Sequence, residues 1–268
     1  MLRTDLEHFL KELYHYERFE DYCQNGLQVE GKEEIRKIVF GVSFNLPFLQ
    51  KAIEAQADAI IVHHGIFGKN FFTVKGVLKE RVKPLLQYNI SLFGIHLPMD
   101  AQEQHGNNAQ LLSYLDAEVL EPYDLGFIGQ NTQEHSLSRI LDIFHEKLHP
   151  AGYQIPPVER SLASILTPKQ QHGFVLFDHG PQIPRKIAII SGGAAGKYRS
   201  EDLLSKGVDT YISGSVDEAT PAWSYETKTN FINLGHYWSE KSGPLALQQE
   251  IARLFDVKTE FIEVENVI

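Results

Sequence analysis

Three apolar runs in this chain end in residues of the types that serve as metal ligands. Ala59-Ile60-Ile61-Val62 runs directly into His63-His64 and then Gly65. Ile90-Ser91-Leu92-Phe93-Gly94-Ile95 leads into His96, with Asp100 four positions on. Phe231-Ile232-Asn233-Leu234-Gly235 leads into His236, with Glu240 four positions on. Short apolar runs bounded by turn residues read as buried strands. Open α/β sheets place their ligand sites outside the carboxyl ends of such strands. Imidazole and carboxylate donors arriving there together suit zinc, iron, manganese and related divalent ions.

Adjacent strand residues point to opposite faces, so His63 and His64 reach one centre only if the strand has ended, a freedom Gly65 supplies. A two-metal centre would also let each imidazole serve its own ion. His236-x-x-x-Glu240 has the i, i+4 spacing that shares one helix face, which suits either an ordinary helix N-terminal pair or a chelate. In His96-Leu97-Pro98-Met99-Asp100, Pro98 is expected to break regular structure. Asp100 is then the better ligand, and His96 a neighbour of the ions or a proton carrier. Two ions about 3.5–4 Å apart can activate water and clamp a leaving oxygen. His8, His15, His145, His149, His172 and His179 stand in polar or helical settings with no acid partner in view, and read as surface residues.

Other chemistries find less support. Gly192-Gly193-Ala194-Ala195-Gly196-Lys197 follows a strand and opens a helix, a place where backbone N–H groups hold phosphate. It fits neither the Walker order nor a dinucleotide fingerprint, and a tight turn explains it equally well. Gly106-Asn107-Asn108 reads as a helix cap. No Gly-x-Ser-x-Gly elbow exists and Cys23 shows no base partner, which disfavours covalent nucleophilic catalysis.

The positioning elements alternate. A helix is expected over 4–18, a brief extended piece between the turns of 21–31, and strands at 38–42, 59–62 and 90–95. Helices fall at 47–57, 75–88 and 107–115. The second half repeats this order: strand 186–191, helix to 207, strand 208–214, then a helix and the strand ending at His236. Between them lie a strand at 126–130, a helix near 136–148 and a strand at 173–178. Pro156-Pro157 and Pro181 read as loop punctuation. The repeat predicts an internal duplication of an α/β unit, residues 1–125 and 126–268, with the C-terminal segment free to pack on the first unit.

Composition narrows the function classes. The 268 residues carry a formal net charge of −10, with 43% hydrophobic and 22% charged residues, as an ordinary globular chain does. No run approaches the ~20 apolar residues of a membrane span. The start lacks a secretory signal, so a cytoplasmic location is the default. One cysteine excludes a cysteine-rich metal site, so any metal is held by nitrogen and oxygen. Without a basic face, nucleic-acid binding is disfavoured.

Asn25-Gly26-Leu27-Gln28-Val29-Glu30-Gly31, Val62-His63-His64-Gly65-Ile66-Phe67, His96-Leu97-Pro98-Met99-Asp100, Gly106-Asn107-Asn108 and Gly235-His236-Tyr237-Trp238-Ser239-Glu240 occur together and in order. On these motifs the chain resembles the GTP cyclohydrolase 1 type 2 homolog family, the NIF-three-like proteins, in the short form without an inserted domain. The resemblance implies two similar, intertwined α/β units with a dinuclear metal site between them. Carried across, it makes His63, His64, Asp100, His236 and Glu240 the ligands, with His96 close by. It also implies a homohexamer built as a trimer of dimers. The chain departs from the family after Gly214, where Ser215 stands in place of a common acidic residue. The expected function is hydrolysis of a nucleotide or another small phosphorylated or heterocyclic compound, using two divalent ions (Fe, Zn or Mn). The alternative is a non-catalytic metal-binding adaptor or chaperone ring that binds protein partners.

Overall fold

Ile38 and Phe40 point to one side of a strand, and Val39 to the other. Their side chains are buried in both directions, so helices must cover two faces of the sheet. The structure, a computed structural model, describes residues 1–69, 73–153, 166–264 and 266; Pro156-Pro157 lies outside them. It is a mixed α/β fold with two sheets, and its contacts divide it into two units.

The first unit comprises Met1–Gly106 and Gly243–Asn266. In chain order it contains α1 (Arg3–Tyr14), β1 (Gly26–Val29), β2 (Lys37–Ser43), α2 (Leu46–Glu54), β3 (Ala59–His64), α3 (Val77–Tyr88), β4 (Ser91–Gly94) and α4 (Leu97–Ala101). Its sheet runs β1-β4-β3-β2 and ends in β12 (Lys258–Phe261), which pairs parallel with β2. Strands β2, β3 and β4 are mutually parallel, and β1 lies antiparallel on β4. Val39, Ile60, Val62 and Leu92 face residues of α2 and α3, including Phe48, Leu49, Val82 and Leu85. Ile38, Phe40, Ile61 and Phe93 face Leu6, Leu10 and Tyr14 of α1 and Leu247 and Ile251 near the C-terminus. This alternation fixes the strand register, because a slip of one residue would exchange the two cores. Helix α1 stops at Tyr14, short of the expected residue 18. His15 turns left-handed there (φ 45°), and a 3-10 turn at Tyr16–Arg18 follows.

The second unit is built on Asn107–Ser242. It contains α5 (Asn107–Tyr114), β5 (Glu118–Tyr123), β6 (Gly126–Gln130), α6 (Leu137–Leu148), β7 (Lys169–Gln171), β8 (Phe174–Asp178), β9 (Lys186–Ile190), α7 (Glu201–Ser205), β10 (Thr210–Ser213), α8 (Thr220–Thr227), β11 (Asn230–Asn233) and α9 (His236–Ser239). Helix α10 (Ser242–Leu254) follows and leads into β12. The sheet order is β5-β6-β9-β10-β11-β8-β7. The division falls at Gly106, where the sequence suggested residue 125, because β5 pairs with β6 and β6 with β9. A core of Ile128, Ala188, Ile190, Tyr211 and Phe231 packs with Tyr198 and Leu203. Among the described residues no helix is long and apolar enough to cross a membrane.

Each unit has three sequential parallel strands with an antiparallel strand beyond the third, β1 on β4 and β8 on β11. The hydrogen bonds match as well. Asp58 N–H donates to the Lys37 carbonyl and Asp209 N–H to that of Lys186; Ser91 N–H donates to the Asp58 carbonyl and Asn230 N–H to that of Asp209. Counting from these pairs, Gly235 corresponds to His96, and Leu97 to His236. The two His/acid pairs therefore stand at positions offset by one residue, which the similar spacing in sequence conceals.

Candidate metal centre

Strand β3 carries His63 and His64 within its last two positions, and the strand has not ended before them as expected. Pairing with β4 ceases at Val62↔Gly94, while Ser43↔His64 keeps β3 attached to β2 alone. Held on one side only, the strand end has room to turn both rings together. Their centroids lie 4.5 Å apart, inclined at 53°. His63 is fully buried, and its Nδ1 donates to the Ile95 carbonyl at 2.8 Å. That bond leaves the lone pair on Nε2, which lies 3.7 Å from Oδ2 of the buried Asp100. Fixing one imidazole nitrogen on a carbonyl so that the other faces outward is the usual orientation of a metal-ligating histidine. Pro98 does not break structure; it lies in the first turn of α4, where its missing N–H costs no helical bond, and Asp100 sits within that helix.

His96 completes the cluster, its ring centroid 5.1 Å from that of His63 and 5.5 Å from that of His64. His63, His64 and His96 present ligand atoms all within 4.8 Å of one another. These donors fit a divalent cation: closely spaced imidazoles, one with its tautomer set, beside a buried carboxylate.

Sequence reasoning missed the residues that hold this cluster. Asp21 accepts from His96 Nδ1 at 2.9 Å, from the Leu97 N–H at 3.1 Å, and from the Cys23 N–H and the Asn25 amide at 3.0 Å each. Asn25 Oδ1 in turn accepts the His96 N–H at 2.7 Å. Burial acts to raise the Asp21 carboxyl, but these donors outweigh it and hold it well below the usual range. Burial likewise lowers the His96 imidazole, and the bonds to Asp21 and to the Cys23 side chain overcome it and push it up to about 10. Cys23 therefore does have a base beside it, because the β1–β4 pairing, Gly26 opposite Gly94, brings its loop to His96. Gln28 braces the turn after His64: its Oε1 accepts the Ile66 N–H at 2.8 Å, and its Nε2 donates to the Gln24 carbonyl at 2.6 Å. In sequence, Asn25 to Gly31 gave turns around a brief extended piece and one motif of the family resemblance, but no role beside His96.

In the second unit, His236 opens α9 and Glu240 caps it, with Nε2 to Oε1 at 3.1 Å. Glu240 is 3% exposed. Gly192 lies against this pair. A Cβ there would stand 2.1 Å from Glu240 Oε1, and the φ of +64° already favours glycine. The Gly192 N–H donates to Ser239 Oγ at 3.0 Å, and the Gly192 carbonyl accepts the Ala194 and Gly214 N–H groups at 3.0 and 3.1 Å. Only a four-residue 3-10 turn (Ala195–Tyr198) and the short α7 follow. The glycine-rich segment is thus a tight turn that backs Glu240 and opens no long helix.

Comparison with known proteins agrees with the motifs. The family profile described as Duf34/NIF3 (NGG1p interacting factor 3) matches residues 1–267. A Yersinia pestis protein named GTP cyclohydrolase 1 type 2 homolog is 36% identical over 269 residues, covering 99% of each chain. Its namesake from Escherichia coli K12 is 35% identical, also over 99% of each. Among solved structures, one described as protein ybgI, of unknown function, covers 100% of both chains with a TM-score of 0.83 at 31% identity. A Thermus thermophilus protein gives a TM-score of 0.83 at 27% identity over 99% of each chain. The resemblance read from the motifs is confirmed, and the chain belongs to the Duf34/NIF3 family.

Proposed function

We propose that this protein is a metal-dependent hydrolase with a dinuclear centre, acting on a nucleotide or another small phosphorylated or heterocyclic compound. The observation that carries this reading is the set of imidazoles at the end of β3, with His63 Nδ1 locked on Ile95 and Nε2 turned toward Asp100. His63, His64, Asp100, His236 and Glu240 would hold two divalent ions (Fe, Zn or Mn). Such ions supply Lewis-acid activation of water and neutralise charge on a leaving group. The buried Asp21 carboxylate fixes the His96 ring by its Nδ1, leaving Nε2 to deliver or receive a proton at the substrate. The relatives' printed name suggests a purine nucleotide as the first substrate to try.

The matched strand order and the Asp58 and Asp209 bonds support an origin by internal duplication. The offset between His96 and His236 then means that the two copies diverged in which strand-end position supplies the imidazole. A homohexamer, a trimer of dimers, in the cytoplasm is part of the same reading, and light scattering on the purified chain tests the assembly.

The activity is tested by incubating the metal-loaded chain with a nucleotide panel, GTP first, and resolving products by chromatography. Turnover abolished by chelation, by His64→Ala and by Glu240→Gln is the expected result. A chain that binds its ions yet converts no compound in the panel overturns the hydrolase and leaves a metal-holding adaptor.

A further inference from the structure

The loop before β1 and the loop after β3 run together as a short antiparallel ribbon beside His96. Cys23 bridges to Gly68, the Gln24 N–H donates to the Phe67 carbonyl at 2.9 Å, and the Lys69 N–H donates to the Tyr22 carbonyl at 2.9 Å. This register sets Lys69 opposite Tyr22, and directly opposed residues on such a ribbon are neighbours. Gly68 permits the closure: a Cβ there would lie 2.6 Å from the Tyr22 carbonyl oxygen and 3.6 Å from Cδ2 of its ring.

Tyr22 is 64% exposed even though its ring touches that of His96, the centroids 5.0 Å apart and the planes inclined at 70°. Most of an aromatic side chain therefore stays in water, held in place by an imidazole and a backbone ribbon. Lys69 is exposed as well, and pairs with no carboxylate among the described residues, in a chain whose formal net charge is −10.

We propose that Tyr22 and Lys69 grip the substrate, and that this substrate is a planar heterocycle carrying phosphate. The inference rests on the hydrolase reading above and narrows it to compounds with both groups. The heterocycle lies against the Tyr22 ring, where stacking needs a π face and no particular hydrogen-bonding pattern. A ring placed there adjoins His96, the residue assigned to proton transfer, whose own ring stands 5.1 Å from that of His63. The Lys69 ammonium receives the phosphate as a point charge. It also gives an anion a local attraction that the acidic chain as a whole does not offer.

Calorimetric titration of the full chain, metal-free and metal-loaded, with GMP and with guanosine tests the grip. The metal-free chain reads Tyr22 and Lys69 without any contribution from ions to phosphate binding. Tyr22→Ala is expected to weaken both ligands about tenfold, the effect of removing one aromatic ring from under a base. Tyr22→Phe, which keeps the ring, should bind both as the wild type does. Lys69→Gln should abolish the wild-type preference for GMP over guanosine and leave guanosine binding unchanged. The proposal is overturned by a wild-type chain that binds no GMP, by Tyr22→Phe as weak as Tyr22→Ala, by Tyr22→Ala as tight as wild type, or by Lys69→Gln that keeps the preference. The expected binding pattern without turnover of any compound in the nucleotide panel keeps the grip and removes the hydrolase. Turnover in that panel without GMP binding removes the grip and keeps the hydrolase.

Discussion

The Asp21 carboxylate meets Nδ1 of His96 at 2.9 Å across 75 positions of the chain, and three further donors converge on the same carboxylate. One buried acid thus fixes the loop after β4, the loop before β1 and the ring of His96. Asp21→Asn removes the charge and turns an amide toward these donors. The variant should lose about 2–3 kcal/mol of stability, the range for breaking buried hydrogen bonds to a charged group. Urea unfolding of the metal-free protein measures this, and the bound-metal content of the variant should stay near that of the wild type, since Asp21 is not among the proposed ligands.

Gly192 is expected to tolerate no side chain. In Gly192→Ala the new Cβ meets Glu240 Oε1 at 2.1 Å and the left-handed backbone is strained, so bound metal should fall at least tenfold. Gly207→Ala separates the two effects. Its φ of +74° is equally left-handed, but no atom lies within 4 Å of the new Cβ. That variant should cost only about 1 kcal/mol of stability and keep its metal. Elemental analysis beside thermal unfolding of both variants reads the difference.

Asp58 and Asp209 occupy matching positions and respond to pH in opposite directions. Burial acts to raise Asp58, but the Lys32 ammonium and the Arg36 and Lys37 N–H groups outweigh it and lower the carboxyl. Its contribution to stability is therefore full above its unfolded value, about pH 4, and is lost as pH falls through the lower folded value. Asp209 accepts the Arg185 N–H at 2.9 Å, and burial dominates and raises its carboxyl. Stability from that group therefore declines as pH rises from the unfolded value through the folded one. Asp58→Asn should cost about 1–3 kcal/mol at pH 7 and flatten the acid limb of the stability profile. Asp209→Asn should cost less. Denaturant midpoints between pH 3 and 7 check both, and an Asp209→Asn loss equal to that of Asp58→Asn contradicts the assignment.

Cys23 provides a separate check on the chemistry. Its thiol stands beside His96, an arrangement that also suits a nucleophile and its base. If activated water attacks, Cys23→Ala should keep turnover within about threefold; a loss of a hundredfold or more would assign the step to the thiol.

The parallel strands and their histidines were legible because Ala59–Val62 and Ser91–Gly94 are apolar runs with sharp ends. Strand β5 was not, since Glu118, Glu121 and Pro122 leave an edge strand without the apolar alternation that marks a buried one. Strand β12 has the same character, with Lys258 and Glu260 exposed at the edge of the first sheet. The end of α1 was overrun because the apolar spacing continues past Tyr14, while the left-handed His15 leaves no mark in composition. Asp21, Asn25 and Gln28 act through strand pairing over long sequence separations, which no local pattern encodes. The partners of three histidines read as surface residues stayed hidden for the same reason: the β7–β8 hairpin, not the spacing, brings His172 to α6, where its Nε2 donates to Asp142 Oδ1 at 2.7 Å and its ring stacks on His145, whose Nδ1 lies 2.7 Å from that of His149.

The most direct test of the central claim is metal-edge anomalous diffraction from crystals of the full chain, paired with elemental analysis. Two divalent ions contacted by His63, His64, Asp100, His236 and Glu240, and lost in His64→Ala and Glu240→Gln, are the expected result. Ions absent from those five residues in a metal-loaded crystal, or a full complement retained there by both variants, would contradict it.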